Sequence, residues 1–107
     1  MKGISDTGFL VAFANRRDCH HRWALEIAQS VTEPLLTCEA VLAETAFHLG
    51  SVSLVMAFVQ EGLVRLEFRL EDHIPRIGEL AARYADRHPD LADLCLIRRA
   101  NCIPSFP

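Results

Sequence analysis

Ile4-Ser5-Asp6-Thr7-Gly8-Phe9-Leu10 is the stretch that decides the fold of this chain. A very short apolar run ends in a carboxylate, and a hydroxyl, a glycine and a dense apolar segment follow. This order is typical of a buried parallel strand that leads into a helix, with the acid at the carboxyl end of the strand, where open α/β sheets place their chemistry. A second interpretation is open, because Asp is also a favoured helix N-cap residue that accepts hydrogen bonds from free backbone N–H groups.

The length and composition of the chain limit its class. Its 107 residues predict a single domain over 1–107, and 50% hydrophobic with 23% charged residues are typical of a soluble globular protein. The formal net charge is −3, which argues against a dedicated duplex-DNA binder, because such proteins carry a basic surface. This charge does not exclude an enzyme that contacts nucleic acid through metal ions.

The cysteines and the hydropathy pattern predict a cellular location. None of the four cysteines belongs to a Cys-x-x-Cys pair, and no signal peptide precedes them. We therefore expect reduced thiols in a cytoplasmic protein. No apolar stretch is long enough to span a bilayer, so we expect no membrane association.

Strand-like and helix-like segments alternate along the chain. Short apolar runs at 1–5, 34–36 and 63–68 are predicted strands. The other segments predict six helices. The first three are 7 to about 14, a helix that Asp18 caps, and 38–49, which Thr37 caps and Gly50 stops. The last three start at Ser51 and run to about 60, start at a cap on Asp72 and end before His88, and run from 91 to about 100 after a cap at Asp90. This alternation predicts an α/β fold with a mostly parallel sheet.

The spacing of apolar residues predicts which side chains are buried. Trp23 and Ile27 give the second helix a buried stripe, and Val41 and Phe47 belong to the apolar stripe of the third helix. We interpret the Phe and Trp side chains as core residues rather than as stacking platforms.

Glu44 lies between Val41 and Phe47 at three-residue spacing, which places it on the same predicted apolar face. A carboxylate in that position is expected to be buried and paired, because an unpaired buried charge is costly. The alternative is a glutamate at the edge of the helix that reaches solvent.

Asp93 is the third residue of the last predicted helix and lies among apolar neighbours. It is either a site residue or a first-turn acid that the helix dipole favours, and in the second case it completes a cap with Asp90. Acids that converge from helix starts near strand ends suit magnesium or manganese, which prefer oxygen ligands. Spacing alone does not establish that Asp6, Glu44 and Asp93 converge.

Several segments of the chain, taken together, resemble PIN-domain ribonucleases. The resemblance rests on residues 5–12 (SDTGFLVA), Asp18 with His21, residues 36–44 (LTCEAVLAE), and residues 84–86 (YAD) followed by 89–93 (PDLAD). It covers residues 3 to about 98. Each segment is a weak signal alone, but their order and spacing together are specific.

This resemblance implies a three-layer α/β/α domain with a parallel sheet, and endoribonuclease activity that depends on Mg²⁺ or Mn²⁺. By position, Asp6, Glu44 and Asp93 would be the catalytic acids and the metal ligands. Thr7 would contact a water molecule of the ion through its hydroxyl, and Asp90 is the nearest substitute for the third acid. The acids would orient the ion and a hydroxide that attacks phosphorus in line.

The resemblance also implies partners. Many bacterial members of the family are VapC-type toxins of toxin–antitoxin pairs, which a small antitoxin protein neutralises and which often dimerise. We therefore expect an RNA substrate, an antitoxin partner and a homodimer.

The end of the chain departs from the family pattern. Residues 99–107 contain two prolines, which a central strand does not accommodate, and no acidic residue follows Asp93. We therefore expect a chain that lacks the usual C-terminal strands and the fourth acid. One hypothesis is that the last residues are translated out of frame from the gene of a longer ancestor. The alternative function is a catalytically inactive remnant that binds only an antitoxin or a second copy; a third interpretation is a chain that does not fold stably alone.

Two other clusters have simple explanations. Cys19, His20 and His21 lack the second ligand pair that zinc sites use, so we interpret them as polar residues at a helix start; His21 has the further alternative of lining an RNA groove. A basic cluster, Arg16, Arg17 and Arg22, either contacts phosphate or forms a solvated helix end.

Overall fold

The computed structural model describes residues 3–101, and for residues 99–101 it describes the backbone alone. Six α-helices and two strands account for most of this part of the chain. They are α1 (Thr7–Ala14), α2 (His21–Ser30), β1 (Leu35–Thr37), α3 (Glu39–Leu49), α4 (Val52–Gln60), β2 (Val64–Leu66), α5 (Ile74–Arg83) and α6 (Leu91–Asn101). Short 3₁₀ helices at Leu70–His73 and Ala85–Arg87 flank α5.

The sheet is small and parallel. β1 pairs with β2 in parallel, with Leu36 opposite Arg65. The predicted first strand contributes a single parallel bridge between Ile4 and Leu36, in which Ser5 N–H donates to Leu36 O and Leu36 N–H donates to Gly3 O, both over 2.8 Å. Met1 and Lys2 lie outside the described residues. The α/β class and the parallel sheet are therefore confirmed, although each strand is shorter than predicted.

Two predicted N-caps, Asp6 and Asp90, are confirmed, and so are the predicted start of a helix at Ser51 and the predicted stop at Gly50. The side chain of Asp6 caps α1, that of Ser51 caps α4, and Asp90 Oδ1 accepts a hydrogen bond from Asp93 N–H in the first turn of α6. Gly50 ends α3 in the left-handed conformation, with φ of 67°. A residue without Cβ adopts this conformation at little cost, which explains why the helix stops there.

Three other predicted caps are wrong, because the residues that precede these helices are His20, Cys38 and His73. Asp18 Oδ1 accepts from His20 N–H over 2.8 Å in a turn before α2. Thr37 is the last residue of β1, and its hydroxyl donates to Ser5 O over 3.1 Å, which ties the first segment to the sheet. Asp72 lies within a 3₁₀ helix and pairs with Arg69.

The core lies between the sheet and the helices that pack on it. Its largest fully buried apolar side chains come from six different elements; they are Leu10, Leu36, Val41, Val55, Val64 and Leu80. Two predicted core residues are instead exposed, since Trp23 retains 53% and Phe47 82% of its surface. α2 buries Ala24 instead, and α3 buries Val41, Leu42 and Thr45, so that Phe47 falls on the opposite side of its helix.

The expectations for the chain terminus concern residues 102–107, which lie outside the described residues. Within residues 3–101, no helix combines the length and the apolar composition needed to cross a membrane.

Candidate active site

A cleft forms where the starts of α1 and α6 meet the middle of α3. It encloses about 430 Å³. Its lining residues are mostly polar; they are Asp6, Thr7, Gly8, Val11, Asp18, His20, Glu44, His48 and Asp93. Four of these residues are carboxylates, and none is Lys or Arg, so the cleft favours cations over anions. We name it the acidic cleft.

Asp6 stands between the first sheet segment and α1. Its Oδ1 accepts a hydrogen bond from Phe9 N–H over 2.8 Å, so one carboxylate oxygen caps the helix. The residue is exposed and lines the acidic cleft. Asp6 can therefore be both the N-cap of α1 and a site residue. Its Oδ1 caps the helix, and no described residue forms a hydrogen bond with its Oδ2.

Glu44 is tied to α1 by a side-chain hydrogen bond. Thr7 Oγ1 donates to Glu44 Oε2 over 3.1 Å, and His48 Nε2 lies 3.7 Å from Glu44 Oε1. The Glu44 side chain is 33% exposed, so it is neither fully buried nor a free edge residue. The hydrogen bond from Thr7 orients Oε2, and His48 lies near Oε1, where it forms an ion pair when its ring is protonated.

Asp93 lines the cleft from the first turn of α6. Its backbone N–H donates to Asp90 Oδ1 over 2.8 Å, while its own carboxylate is exposed. Asp90 is not among the residues that line the cleft. The structure thus gives the two acids different surroundings, with Asp90 at the helix cap and Asp93 at the cleft.

Asp18, His20 and His48 also line the cleft, although sequence reasoning gave them no role there. The four-residue spacing from Glu44 to His48 on one helix was the available signal for His48. His21, in contrast, lies away from the cleft, because its Nδ1 is 2.7 Å from Ala12 O and joins α2 to α1. The proposed RNA-groove role of His21 has no support from this position.

Arg16, Arg17 and Arg22 are exposed and do not line the acidic cleft. They surround the connection between α1 and α2, where the chain is otherwise polar. Among the described residues, no Lys or Arg side chain therefore lines the cleft where a phosphate would bind.

The acidic cleft offers side-chain oxygen atoms as donors to a divalent cation. Within the described part of the chain, no group of three or more His, Cys, Asp or Glu side chains is close enough together to hold a metal ion. Magnesium, however, usually keeps several waters and uses one or two carboxylates. Oxygen donors on Asp6, Thr7, Glu44 and Asp93 have the chemistry that magnesium and manganese prefer, so the residues fit such an ion when water completes its shell.

Comparisons with known proteins agree with this architecture. A search of curated proteins found no match. The family model described as PIN domain matches residues 4–100, which include every residue of the acidic cleft. PIN domains have a nuclease-type fold. Because the match covers most of the chain, the protein belongs to the PIN domain family.

Proposed function

We propose that this protein is a metal-dependent endoribonuclease that uses Mg²⁺ or Mn²⁺ in the acidic cleft. The observation that carries the proposal is that Asp6, Glu44 and Asp93, which are far apart in the chain, line one cleft together with Thr7. Family membership supports the same activity, since PIN nuclease domains bind RNA.

Each residue has a distinct part in this proposal. Asp6, Glu44 and Asp93 are the catalytic carboxylates that would hold the ion. When bound, a divalent cation supplies Lewis-acid polarisation and charge neutralisation to a phosphodiester. Thr7 holds Glu44 Oε2 in place through its hydroxyl. Asp90 fixes the first turn of α6 and thereby the position of Asp93.

We extend the proposal to a toxin of a toxin–antitoxin pair that acts in the cytoplasm as a homodimer. This part rests on the resemblance of the motifs around Asp6, Glu44 and Asp93 to VapC-type toxins. Its partners would be RNA and a small antitoxin protein.

The alternative function is a catalytically inactive module that binds an antitoxin or a second copy of the chain. One observation favours it, because the described residues contain no preformed group of three metal-ligating side chains. The two candidates differ in whether manganese binds and whether RNA is cut.

The Asp6→Asn variant separates the role of Asp6 as a cap from its role in the cleft. Asn is as good an N-cap as Asp, so the bond to Phe9 N–H is retained while the charge is lost. We expect RNA cleavage in manganese to fall by at least about a hundredfold, the effect of losing a few kcal/mol of transition-state stabilisation. The thermal unfolding midpoint should stay close to that of the unmodified protein.

Asp86→Asn is the matched control, since Asp86 is exposed in a 3₁₀ helix and does not line the cleft. It should cleave like the unmodified protein. Cleavage that persists in Asp6→Asn would contradict the proposed enzyme. Absence of cleavage by the unmodified chain, together with no saturable heat on titration with manganese, would instead establish the binding module.

A further inference from the structure

Trp23 is an exposed aromatic residue beside the acidic cleft. It is the single tryptophan of the chain, and 53% of its surface is accessible. Its helix is fixed in place, because Ala24 is fully buried and His21 Nδ1 lies 2.7 Å from Ala12 O. A large apolar side chain is thus held at the surface by a rigid element.

A second depression, here named the Trp23 pocket, opens next to this side chain. It encloses about 510 Å³ and is lined by Asp6, Gly8, Phe9, His20 and Trp23. A volume of this size falls within the range of small-molecule sites, about 300–1,000 Å³. Asp6, Gly8 and His20 also line the acidic cleft, so the two depressions share a wall.

The indole ring has room for a stacked partner. Phe9 contacts Trp23 in a T-shaped arrangement, with ring centroids 6.2 Å apart and an interplanar angle of 81°. Within residues 3–101, no aromatic ring stacks in parallel on the indole. No described aromatic ring therefore occupies the stacking position on the indole, where a flat ligand would lie.

We propose that the Trp23 pocket binds an unpaired nucleobase of single-stranded RNA by stacking on the indole ring. Stacking requires no positive charge, so it is available to a protein whose net charge is −3 and whose described cleft residues include no Lys or Arg. Each stacked base contributes about 1–3 kcal/mol in single-strand binding proteins and tolerates any sequence. The shared wall places the base beside the carboxylates of the cleft.

This inference rests on the proposed function and deepens it, because it identifies a residue that positions the RNA beside the acidic cleft. His20 also lines the pocket, and its ring nitrogens can form a hydrogen bond to the edge of a base. Trp23 is a positioning residue and touches no reacting atom.

The first experiment uses the intrinsic fluorescence of the full chain, which reports on Trp23 because the chain has no other tryptophan. The chain is titrated, in the presence of a chelator, with a short oligoadenylate and with the same oligomer lacking its bases. We expect saturable quenching and a blue shift with oligoadenylate, and at least about fivefold weaker binding of the abasic oligomer. Absence of quenching, or equal quenching by both oligomers, would overturn the proposal and leave the surface to a protein partner.

The second experiment compares variants by the anisotropy of a labelled oligoadenylate. Trp23→Phe retains an aromatic face, whereas Trp23→Leu retains apolar surface without a π-system. Trp23→Leu should bind at least about fivefold more weakly, and Trp23→Phe should recover most of the affinity. Ile74→Ala is the matched control, since Ile74 is 55% exposed and lines neither depression.

Thermal unfolding of each variant checks that it is folded. Equal affinity of Trp23→Leu and the unmodified protein would overturn the proposal. These measurements are independent of catalysis, because they are made without a divalent ion. Base-dependent quenching in a chain that never cuts RNA would support the Trp23 pocket and contradict the proposed nuclease. Cleavage of RNA without base-dependent quenching would support the nuclease and contradict the pocket.

Discussion

Thr7 Oγ1 donates a hydrogen bond to Glu44 Oε2 over 3.1 Å, and this bond joins the first residue of α1 to the middle of α3. The two residues are 37 positions apart in the chain. The bond places a carboxylate from α3 beside the end of the first sheet segment, where Asp6 already stands. It is a direct side-chain contact between the two helices that carry the first two acids of the cleft.

Replacement of Thr7 tests the importance of this bond. Thr7→Val removes the donor while the shape of the side chain is retained, so Glu44 Oε2 loses a partner on the protein. We expect the free energy of unfolding to fall by about 0.5–1.5 kcal/mol and manganese affinity to fall by about tenfold, as for other groups that orient a ligand. Chemical denaturation and calorimetric titration measure the two effects.

Thr7→Ser is the control for this prediction, since it retains the hydroxyl. It should bind manganese much like the unmodified protein. Equal manganese affinity in Thr7→Val and Thr7→Ser would show that the bond has no influence on the ion.

Asp90 and Asp93 should give opposite phenotypes, although they are three residues apart. Asp90→Ala removes the side chain that accepts from Asp93 N–H, and we expect it to destabilise the protein by about 0.5–2 kcal/mol. Asp93→Asn should leave the unfolding transition nearly unchanged and abolish saturable manganese heat, because its carboxylate lines the cleft. Loss of manganese binding in Asp90→Asn, which retains the cap, would make Asp90 a ligand instead.

Two glycines should respond in opposite directions to the same substitution. Gly50→Ala forces a Cβ into the left-handed conformation (φ 67°) at the end of α3, which should destabilise the protein by about 1 kcal/mol. Gly78→Ala lies within α5, where nothing is within 4 Å of the added Cβ, and should stabilise the protein by about 0.5–1 kcal/mol. Thermal unfolding of the pair distinguishes them, and a shift of the same sign in both would contradict the cap geometry.

The cysteines should differ widely in reactivity. Burial raises the pKa of the Cys38 thiol, and burial together with the neighbouring Cys38 raises the pKa of Cys95 to about 11. Cys19 is exposed. In a Cys102→Ser variant at about pH 8, which is close to the ordinary thiol pKa, iodoacetamide should therefore label Cys19 well before Cys38 and Cys95. Peptide mass spectrometry measures the labelling of each cysteine. Labelling of Cys95 at a rate like that of Cys19 would contradict the burial.

The same raised pKa gives a stability trend at high pH. Well below the ordinary thiol pKa of about 8.5, the thiol is neutral in the folded and unfolded states alike. Between that value and about 11, the unfolded state releases the Cys95 proton while the folded state keeps it, so the free energy of unfolding falls as pH rises. Cys95→Ala should weaken this decline in denaturation curves measured across that range.

Much of the fold could be predicted from the sequence because its signals are local. Gly50 adopts a left-handed backbone conformation and Ser51 accepts a hydrogen bond from Leu54 N–H, and both residues mark the helix ends that the sequence predicts. Asp18, Thr37 and Asp72 were wrong as caps because their side chains found partners that spacing does not reveal, including a backbone carbonyl on another segment for Thr37.

The side-chain environments were less predictable. Trp23 and Phe47 fit an apolar helix period, yet both are exposed, because the buried side of each helix depends on which neighbour packs against it. His48 lines the cleft through its position one turn after Glu44, and no single motif marked it.

The sequence alone determined the alternation of strands and helices, the helix ends at glycine and serine, and the three acids that were candidates for one site. These features follow from backbone preferences and hydrogen bonds within a few residues. The tertiary structure decided that Asp6, Glu44 and Asp93 line one cleft, that Asp90 caps α6, and that Trp23 is exposed beside the cleft. Those outcomes depend on how α1, α2, α3 and α6 pack together, which is set by burial of apolar surface far apart in the chain.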